Sequence, residues 1–157
     1  MEIFGETIER ELPDLAAEGV RTRFVGRRDR APDVLRDKME RLEAETATNE
    51  RFDLWIAFDY GGRAEIVEAV RRLLATGAAP DGVDEDTFRS HLYAPEMPDP
   101  DLLIRTSGEF RMSNFFLWQS AYAEFVFVDT LWPDFAEEHL RSALDEYARR
   151  RRRFGGR

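Results

Sequence analysis

Two arginines and two serines lie close together in the C-terminal third of the chain, between two apolar runs. Arg105, Ser107, Arg111 and Ser113 all fall in the segment IRTSGEFRMSNF. A guanidinium presents a fork of N–H donors, and a hydroxyl adds another donor, so this group suits the oxygens of a phosphate or diphosphate. The spacing therefore predicts a site for a small polyanion.

The competing interpretation is that the arginines only neutralise nearby carboxylates and bind no ligand. Arg105 and Arg111 are followed by acidic residues, Glu109 and Glu124, with which they could form ion pairs on a solvated loop. Anion sites rich in arginine and surface ion pairs look alike in sequence. Spacing alone leaves both interpretations open.

The flanking apolar runs predict the elements that position these side chains. Leu102 to Ile104 reads as a strand, residues 106–108 as a turn, and Phe125 to Val128 as a second strand. A helix is predicted to begin near Ser113. In α/β sheets ligands bind beyond the carboxyl ends of the strands, where a helix start adds free N–H groups.

The rest of the chain alternates helix and strand patterns. The run FDLWIAF, residues 52–58, is nearly all apolar and predicts a strand buried on both faces of a parallel sheet. Asp84 is predicted to cap a short helix. Further helices are predicted at 1–19, 33–48, 64–76, 84–92 and from 134 onward, with a further strand at 22–25. The fold class is therefore α/β, with a mostly parallel central sheet flanked by helices, in a single domain covering 1–157.

Composition excludes several classes of function. The chain has 157 residues and a formal net charge of −9, which disfavours nucleic acid as a partner. It has no cysteine, and His91 and His139 are too far apart in sequence to predict a zinc site. No apolar run approaches roughly 18 residues, and no leader sequence is evident, so we expect a cytoplasmic protein.

The stretch Asp101–Phe135 resembles the C-terminal signature of the cis-prenyltransferases, the undecaprenyl or decaprenyl diphosphate synthases. It reads I-R-T-S-G-E-x-R-x-S-N-F-x-x-W-Q-x-A-Y-A-E-x-x-F, followed by L-W-P-D-F. The resemblance extends over essentially the whole chain. It implies a cis-prenyltransferase-like fold without its first strands, and condensation of isopentenyl diphosphate with an allylic diphosphate into a cis-polyprenyl diphosphate.

The resemblance also implies roles for individual residues. Arg105, Arg111 and Ser113 would bind isopentenyl diphosphate. Glu124 would be a ligand of Mg²⁺, a metal that prefers carboxylate and phosphate oxygens. The alternative for Glu124 is an exposed carboxylate at a strand edge. Asp59 stands where the family's N-Y-G-G-R has asparagine, and no role is assigned to it.

Both ends of the chain carry further predictions from the same resemblance. Arg153 and Gly155 match an R-x-G tail that reaches a partner's diphosphate site, which implies a homodimer or heterodimer. Read without the family, the arginine run before Phe154 is a solvated helix end. Ile3 and Phe4 would line the tunnel for the growing isoprenoid chain, or would simply face the core.

The resemblance is incomplete at the N-terminus. The family's catalytic aspartate and its asparagine-glycine-arginine loop have no match here, so no catalytic residue is predicted and we expect little or no prenyl transfer by this chain alone. One alternative is a non-catalytic subunit of a heteromeric prenyltransferase. Another is an acidic α/β interaction domain whose arginines bind nothing. An active enzyme would contact membranes peripherally through its product.

Overall fold

The computed structural model describes residues 2–150, without the side chains at 2–5, 7, 9, 11 and 12. The chain divides into two compact units, Met1–Ala94 and Pro95–Arg157. The single-domain organisation stays a prediction. Within residues 2–150 the helices are α1 (Glu2–Ala17), α2 (Asp33–Thr46), α3 (Gly62–Ala75), α4 (Glu85–Arg89) and α5 (Glu137–Arg149), and the strands are β1 (Val20–Gly26), β2 (Phe52–Phe58), β3 (Leu102–Arg105) and β4 (Glu124–Phe127).

The first unit contains a two-stranded parallel sheet. β1 pairs with β2 in a register that runs from Val20 opposite Phe52 to Gly26 opposite Phe58. α2 makes the crossover between them, as parallel pairing requires. Apolar side chains from α1, β1 and α2 form the core, because each element turns one apolar face inward. Its buried members are Ile8, Phe24, Ala31, Leu35, Met39 and Leu42.

The second unit contains another parallel pair. β3 pairs with β4 from Leu102 opposite Glu124 to Arg105 opposite Phe127. α5 contacts β4, and Ala143 is the side chain of that helix buried most deeply. The α/β class with parallel strands is thus confirmed.

Most of the predicted elements are confirmed with shifted ends. Asp84 caps α4, since its Oδ1 accepts a hydrogen bond of 2.8 Å from the Thr87 backbone N–H. That helix ends at Arg89, earlier than predicted. The last helix begins at Glu137, because Pro133 and Asp134 belong to a preceding 3₁₀ turn, Trp132–Asp134.

The prediction of a helix near Ser113 was wrong. Residues 106–123 form a series of turns. Ser113, Asn114 and Phe116 have φ angles of 49°, 65° and 41°, in the left-handed region that an α-helix cannot contain. The polar side chains of this segment therefore project from turns rather than from a helix N-terminus.

The prediction that β2 is buried on both faces was also wrong. Phe52 is 61% exposed, and no residue of β2 is fully buried. The reason is that only one face of β2 has a covering layer: Leu54, Ile56 and Phe58 pack against the core, whereas Asp53 and Ala57 on the opposite face are exposed.

Across residues 2–150 no helix combines the length and the hydropathy needed to cross a bilayer.

Thr46 joins α2 to β1 through a fully satisfied buried hydroxyl. Its Oγ1 accepts from the Thr22 backbone N–H at 3.0 Å and donates to the Leu42 carbonyl at 2.9 Å. Both threonines are buried. We expect Thr46→Val, which keeps the side chain's shape, to lower the free energy of unfolding by about 1–3 kcal/mol, because the Thr22 N–H loses its acceptor.

Chemical denaturation followed by circular dichroism measures this change. Thr76→Val is the matched control, since the Thr76 hydroxyl only donates to the Leu73 carbonyl at the exposed end of α3. An equal loss of stability in the two variants would contradict a special role for Thr46.

Candidate functional site

The site begins at the turn that follows β3. Ser107 and Gly108 have φ angles of 69° and 62°, so the chain reverses sharply after Arg105. Their backbone N–H groups donate to the carbonyls of Thr130 and Val128, at 2.9 and 3.1 Å. These bonds fix the turn to the segment that leaves β4.

Arg105 is held by the same ladder. The Val128 N–H donates to the Arg105 carbonyl at 2.8 Å, which continues the β3–β4 pairing past the last residue of β4. The side chain is half-buried, and its Nε is buried without a hydrogen-bond partner in the described part of the chain. A buried donor left unsatisfied costs about 1–3 kcal/mol, so this N–H is suited to donate a hydrogen bond to a ligand oxygen.

Arg105 and Arg111 line the same cavity, of about 210 Å³. The prediction that the two guanidiniums lie together at the end of a strand is consistent with this arrangement. The rest of the lining is apolar and comes from β3, β4 and the turns between them: Leu103, Ile104, Met112, Phe115 and Phe125. The cavity therefore combines two cations with an apolar wall.

Arg111 differs from Arg105 in its surroundings. Its side chain is 66% exposed and forms an ion pair with Glu109. The interpretation based on local charge balance thus describes Arg111, whereas no ion pair of Arg105 is found among the described residues. Exposed ion pairs of this kind contribute about 0–1 kcal/mol, so a more highly charged partner can replace Glu109.

Ser113 follows Met112, a lining residue of the cavity shared by the two arginines. It is exposed, and it is not among the residues that line the cavity. Ser107 is exposed as well. The helix N-terminus expected beside them is replaced by turns, and the Ser107 and Gly108 amides are already bonded to carbonyls, so the candidate anion-binding groups are the two guanidiniums.

Glu124 lies at the other end of the same sheet. It is the first residue of β4 and stands opposite Leu102, so it is three residues, roughly 10 Å, from the position opposite Arg105. Its Oε2 accepts from Arg150 Nη1 at 2.8 Å, and Arg150 also pairs with Glu146. The hydrogen bonds to Glu124 and then Glu146 raise the pKa of Arg150.

These contacts bear on the predicted magnesium ligand. Glu124 is a suitable residue type, but its carboxylate is occupied by Arg150. No group of three or more histidine, aspartate or glutamate side chains that could hold a metal is found among the side chains the structure describes. Those side chains do not by themselves form a magnesium site.

A second cavity, of about 910 Å³, lies in the first unit, and our sequence reasoning did not predict it. It is rich in arginine, although several of these cations are already paired: Arg28 with Glu43, and Arg71 and Arg72 with Glu68. The available sequence signals were the arginine-rich loop after β1 and the D-Y-G-G-R segment after β2. The lining comprises Phe24, Gly26, Arg27, Arg28, Asp29, Arg63, Ala64, Val67, Glu68, Arg71, Arg72 and Tyr93.

The wall of this second cavity is fixed by a buried carboxylate. Glu65 is fully buried and accepts hydrogen bonds from the Tyr60 hydroxyl and from the Tyr93 backbone N–H, the latter at 3.1 Å. Burial raises the pKa of the Tyr93 hydroxyl. Asp59 has a φ of 42° and pairs with Arg30 at 3.2 Å, so its carboxylate is balanced by a nearby cation.

The remaining predicted residues lie outside what the structure describes. Ile3 and Phe4 belong to α1, but their side chains are not described, and Arg153 and Gly155 follow the last described residue. Their predicted roles in the tunnel and at a partner's site stay predictions.

The sequence matches the family model of putative undecaprenyl diphosphate synthases over residues 1–155. Among similar proteins, an isoprenyl transferase of Thermotoga maritima is 46% identical over 158 residues, which cover 99% of this chain and 68% of the relative. A ditrans,polycis-undecaprenyl-diphosphate synthase of Xanthomonas axonopodis pv. citri, described as specific for (2E,6E)-farnesyl diphosphate, is 46% identical over 99% of this chain and 62% of its own length.

The fold also resembles that of a solved structure. Lavandulyl diphosphate synthase from Lavandula x intermedia, crystallised with dimethylallyl diphosphate, superposes with a TM-score of 0.94 at 37% identity. The match covers 99% of this chain and 69% of that one. This chain thus spans about two thirds of the length of the relatives it matches.

Proposed function

This chain belongs to the undecaprenyl diphosphate synthase family of prenyltransferases, and we propose that it binds isopentenyl diphosphate in the cavity between Arg105 and Arg111. The observation that carries the proposal is the buried Nε of Arg105, a donor at the edge of an apolar cavity for which residues 2–150 supply no partner. The named relatives, an isoprenyl transferase and an undecaprenyl diphosphate synthase, support this substrate class.

The lining of the cavity supports a small amphiphile with an anionic head. The guanidiniums of Arg105 and Arg111 suit a diphosphate, because their forked donors match its oxygens. Apolar side chains such as Leu103, Met112 and Phe125 suit a short isopentenyl tail, because they offer no hydrogen bond to a more polar group. Inorganic diphosphate would satisfy the arginines but would leave the apolar wall uncovered.

Binding exchanges one partner of Arg111 for another. Glu109 must give up its ion pair, and the diphosphate, with more negative charge, takes its place. Because the Arg111 side chain is 66% exposed, its pair with Glu109 contributes little, about 0–1 kcal/mol. Arg105 gains a partner without losing one, so we propose that it contributes more to affinity than Arg111.

The proposed role in the reaction is to position the nucleophilic substrate. Family enzymes join isopentenyl diphosphate to the carbon that carries the allylic diphosphate. The carbon–oxygen bond to that diphosphate breaks as the new carbon–carbon bond forms, and the isopentenyl unit then loses a proton to restore a double bond. Holding the diphosphate of the first substrate orients its double bond toward that carbon, which is catalysis by proximity. Magnesium, when bound, would offset negative charge on the diphosphates, and Glu124 is the proposed ligand from this chain.

The predicted limits of activity follow from what this chain matches in its relatives. It spans 68% and 62% of the two transferases named above, and no residue of it is assigned the family's aspartate role. We therefore propose that the 157-residue chain transfers prenyl groups weakly or not at all by itself. The alternative, a non-catalytic subunit of a heteromeric prenyltransferase, uses the same binding site within a complex.

The binding proposal is tested by isothermal titration calorimetry with isopentenyl diphosphate. We expect Arg105→Ala to weaken binding by about 10- to 100-fold, because it removes charge-assisted hydrogen bonds of about 1.5–3 kcal/mol. Arg141→Ala is the matched control, since Arg141 pairs with Glu137 on the exposed face of α5.

An affinity for isopentenyl diphosphate that is unchanged in Arg105→Ala would show that the ligand binds elsewhere. No heat from the parent chain would favour the third interpretation, an acidic interaction domain whose arginines bind nothing.

The activity proposal is tested by incubating the purified 157-residue chain with farnesyl diphosphate and labelled isopentenyl diphosphate. We expect no polyprenyl product above the level without protein, because no residue of the chain is predicted to take the catalytic aspartate's place. Robust chain elongation would overturn this proposal while leaving the binding proposal in place.

The role of Glu124 is tested by repeating the titration with and without Mg²⁺. If Glu124 is a ligand, Mg²⁺ tightens binding to the parent chain, and Glu124→Gln loses this enhancement but keeps the affinity measured without metal. An equal enhancement in the two proteins would mean that Glu124 acts only as the ion-pair partner of Arg150.

A further inference from the structure

The large cavity of the first unit gathers positive charge in a chain whose net charge is −9. Five of the described residues that line it are arginines: Arg27, Arg28, Arg63, Arg71 and Arg72. Two of the described lining residues are acidic: Asp29 and Glu68. A concave surface lined mainly by one sign of charge raises the local concentration of ions of the opposite sign.

Arg27 is a cation of this cavity that has no counter-charge of its own. The residue is half-buried, and its guanidinium has no ion pair or hydrogen bond among the residues that the structure describes. A guanidinium in this position loses part of its hydration without gaining an acceptor. It is therefore available to donate to the oxygens of a ligand anion.

The backbone fixes where Arg27 stands. Gly26 has a φ of 127°, and a Cβ at this position would collide with the Phe58 carbonyl oxygen, so the close approach of the two strand ends requires glycine. The Arg27 N–H donates to that same carbonyl at 3.2 Å. Arg27 is thus held at the carboxyl end of β1, the end of a parallel sheet beyond which ligands bind.

The arginines of α3 are incompletely balanced. Arg71 and Arg72 share one carboxylate, that of Glu68, at 3.7 and 3.5 Å, distances longer than a well-formed hydrogen bond. Arg28 differs, because Glu43 holds it at 2.7 Å between Nη1 and Oε2. With Arg28 neutralised in this way, the other four arginines exceed the two described lining carboxylates by two positive charges.

Tyr93 adds an aromatic surface and a hydroxyl donor to the lining. The guanidinium of Arg72 lies over its ring, with Cζ 5.6 Å from the ring centroid. Burial raises the pKa of the Tyr93 hydroxyl, although the charges of Arg27 and Arg72 act in the opposite direction. The hydroxyl stays protonated at neutral pH and has no hydrogen-bond partner among the described residues, so it can donate to a ligand oxygen.

We propose that this cavity binds the diphosphate group of a small molecule. Its arginines are spread too widely for one phosphate, since Arg63 and Arg71 are eight residues, about 12 Å, apart along α3. Two linked phosphates reach more of these guanidiniums, each of which can bind a pair of phosphate oxygens. The Arg105–Arg111 cavity is lined by different residues, so the proposal does not rest on isopentenyl diphosphate binding there.

Two kinds of molecule carry this group. One is free inorganic diphosphate, which the reaction of the family releases from the allylic substrate. The other is an organic diphosphate, whose apolar part could cover Phe24, Ala64 and Val67 in the same lining. The shared chemistry is the diphosphate, and the two sources are separated by experiment.

An NMR titration of the full 157-residue chain tests the proposal, because amide chemical shifts report on each cavity separately. We expect inorganic diphosphate to shift the amides of Arg27, Arg63 and Tyr93. Inorganic phosphate should bind about tenfold more weakly at these amides, or weaker still, because it reaches fewer of the arginines.

Isopentenyl diphosphate is the organic arm of the same titration. Tighter binding than inorganic diphosphate at the three amides would assign the cavity to organic diphosphates. Equal or weaker binding would assign it to the free anion. Both outcomes support a diphosphate site.

Arg27→Ala is the decisive variant. It removes a guanidinium that has no ion pair or hydrogen bond among the described residues, so the fold should persist. The affinity for inorganic diphosphate at this cavity should fall about 10- to 100-fold, as expected when charge-assisted hydrogen bonds are lost. Arg71→Ala, at an exposed position of α3, should also weaken binding and replaces the first variant if that one does not fold. Arg141→Ala is the matched control and should bind as the parent chain does.

Three results would overturn the proposal. They are unmoved amides at the three positions in the presence of inorganic diphosphate, equal binding by a folded Arg27→Ala, and binding of inorganic phosphate as tight as that of diphosphate. Arg105→Ala separates this proposal from the earlier one, because it should leave the response of the three amides unchanged. The two proposals therefore fail independently.

Discussion

The hydrogen bond from the Val128 N–H to the Arg105 carbonyl is the contact on which the candidate site depends. β3 and β4 are strands of four residues each, so their ladder has few bonds to define where Arg105 lies. The bonds from Ser107 and Gly108 to the segment after β4 extend this pairing into the turn. The turn also sets the direction in which the chain continues, and that direction places Arg111 at the same cavity.

The charge distribution explains why this cavity is the candidate for ligand binding. The chain is acidic overall, and most arginines that the structure describes have a carboxylate close by. These pairs are mainly exposed, so they balance charge at little cost and contribute little stability. Arg105 is unusual because its Nε is withdrawn from water and has no acceptor among the residues that the structure describes. An unsatisfied donor at the wall of an apolar cavity is better explained by a ligand than by stability.

In the first unit, the same need for hydrogen-bond partners applies to the backbone groups of the strands. α2 covers β1 and supplies Thr46 and Glu43 as acceptors for its outward amides. β2 carries apolar residues on both faces, and Phe52 is 61% exposed. The large cavity beside α3 and the buried Glu65 lie in this unit as well.

The sequence by itself determined the type and order of nearly all the elements, the cap at Asp84 and the family. These properties depend on residues close together in the chain: apolar periodicity, a side chain three residues from the amide it caps, and a motif with fixed spacing. The helix predicted from the local sequence at Ser113 was wrong, because turns with positive φ use the same polar residues that begin helices.

Only the tertiary structure decided which charged groups meet. Glu124 pairs with Arg150, 26 residues away in sequence, whereas Arg105 shares a cavity with Arg111 but not with Ser113. Strand register places Glu124 and Arg105 at opposite ends of one short sheet, although one motif contains both. A motif shows which residues are present, but the pairing of the strands determines where each side chain lies. Ion pairs then form between the charged groups that this pairing brings together.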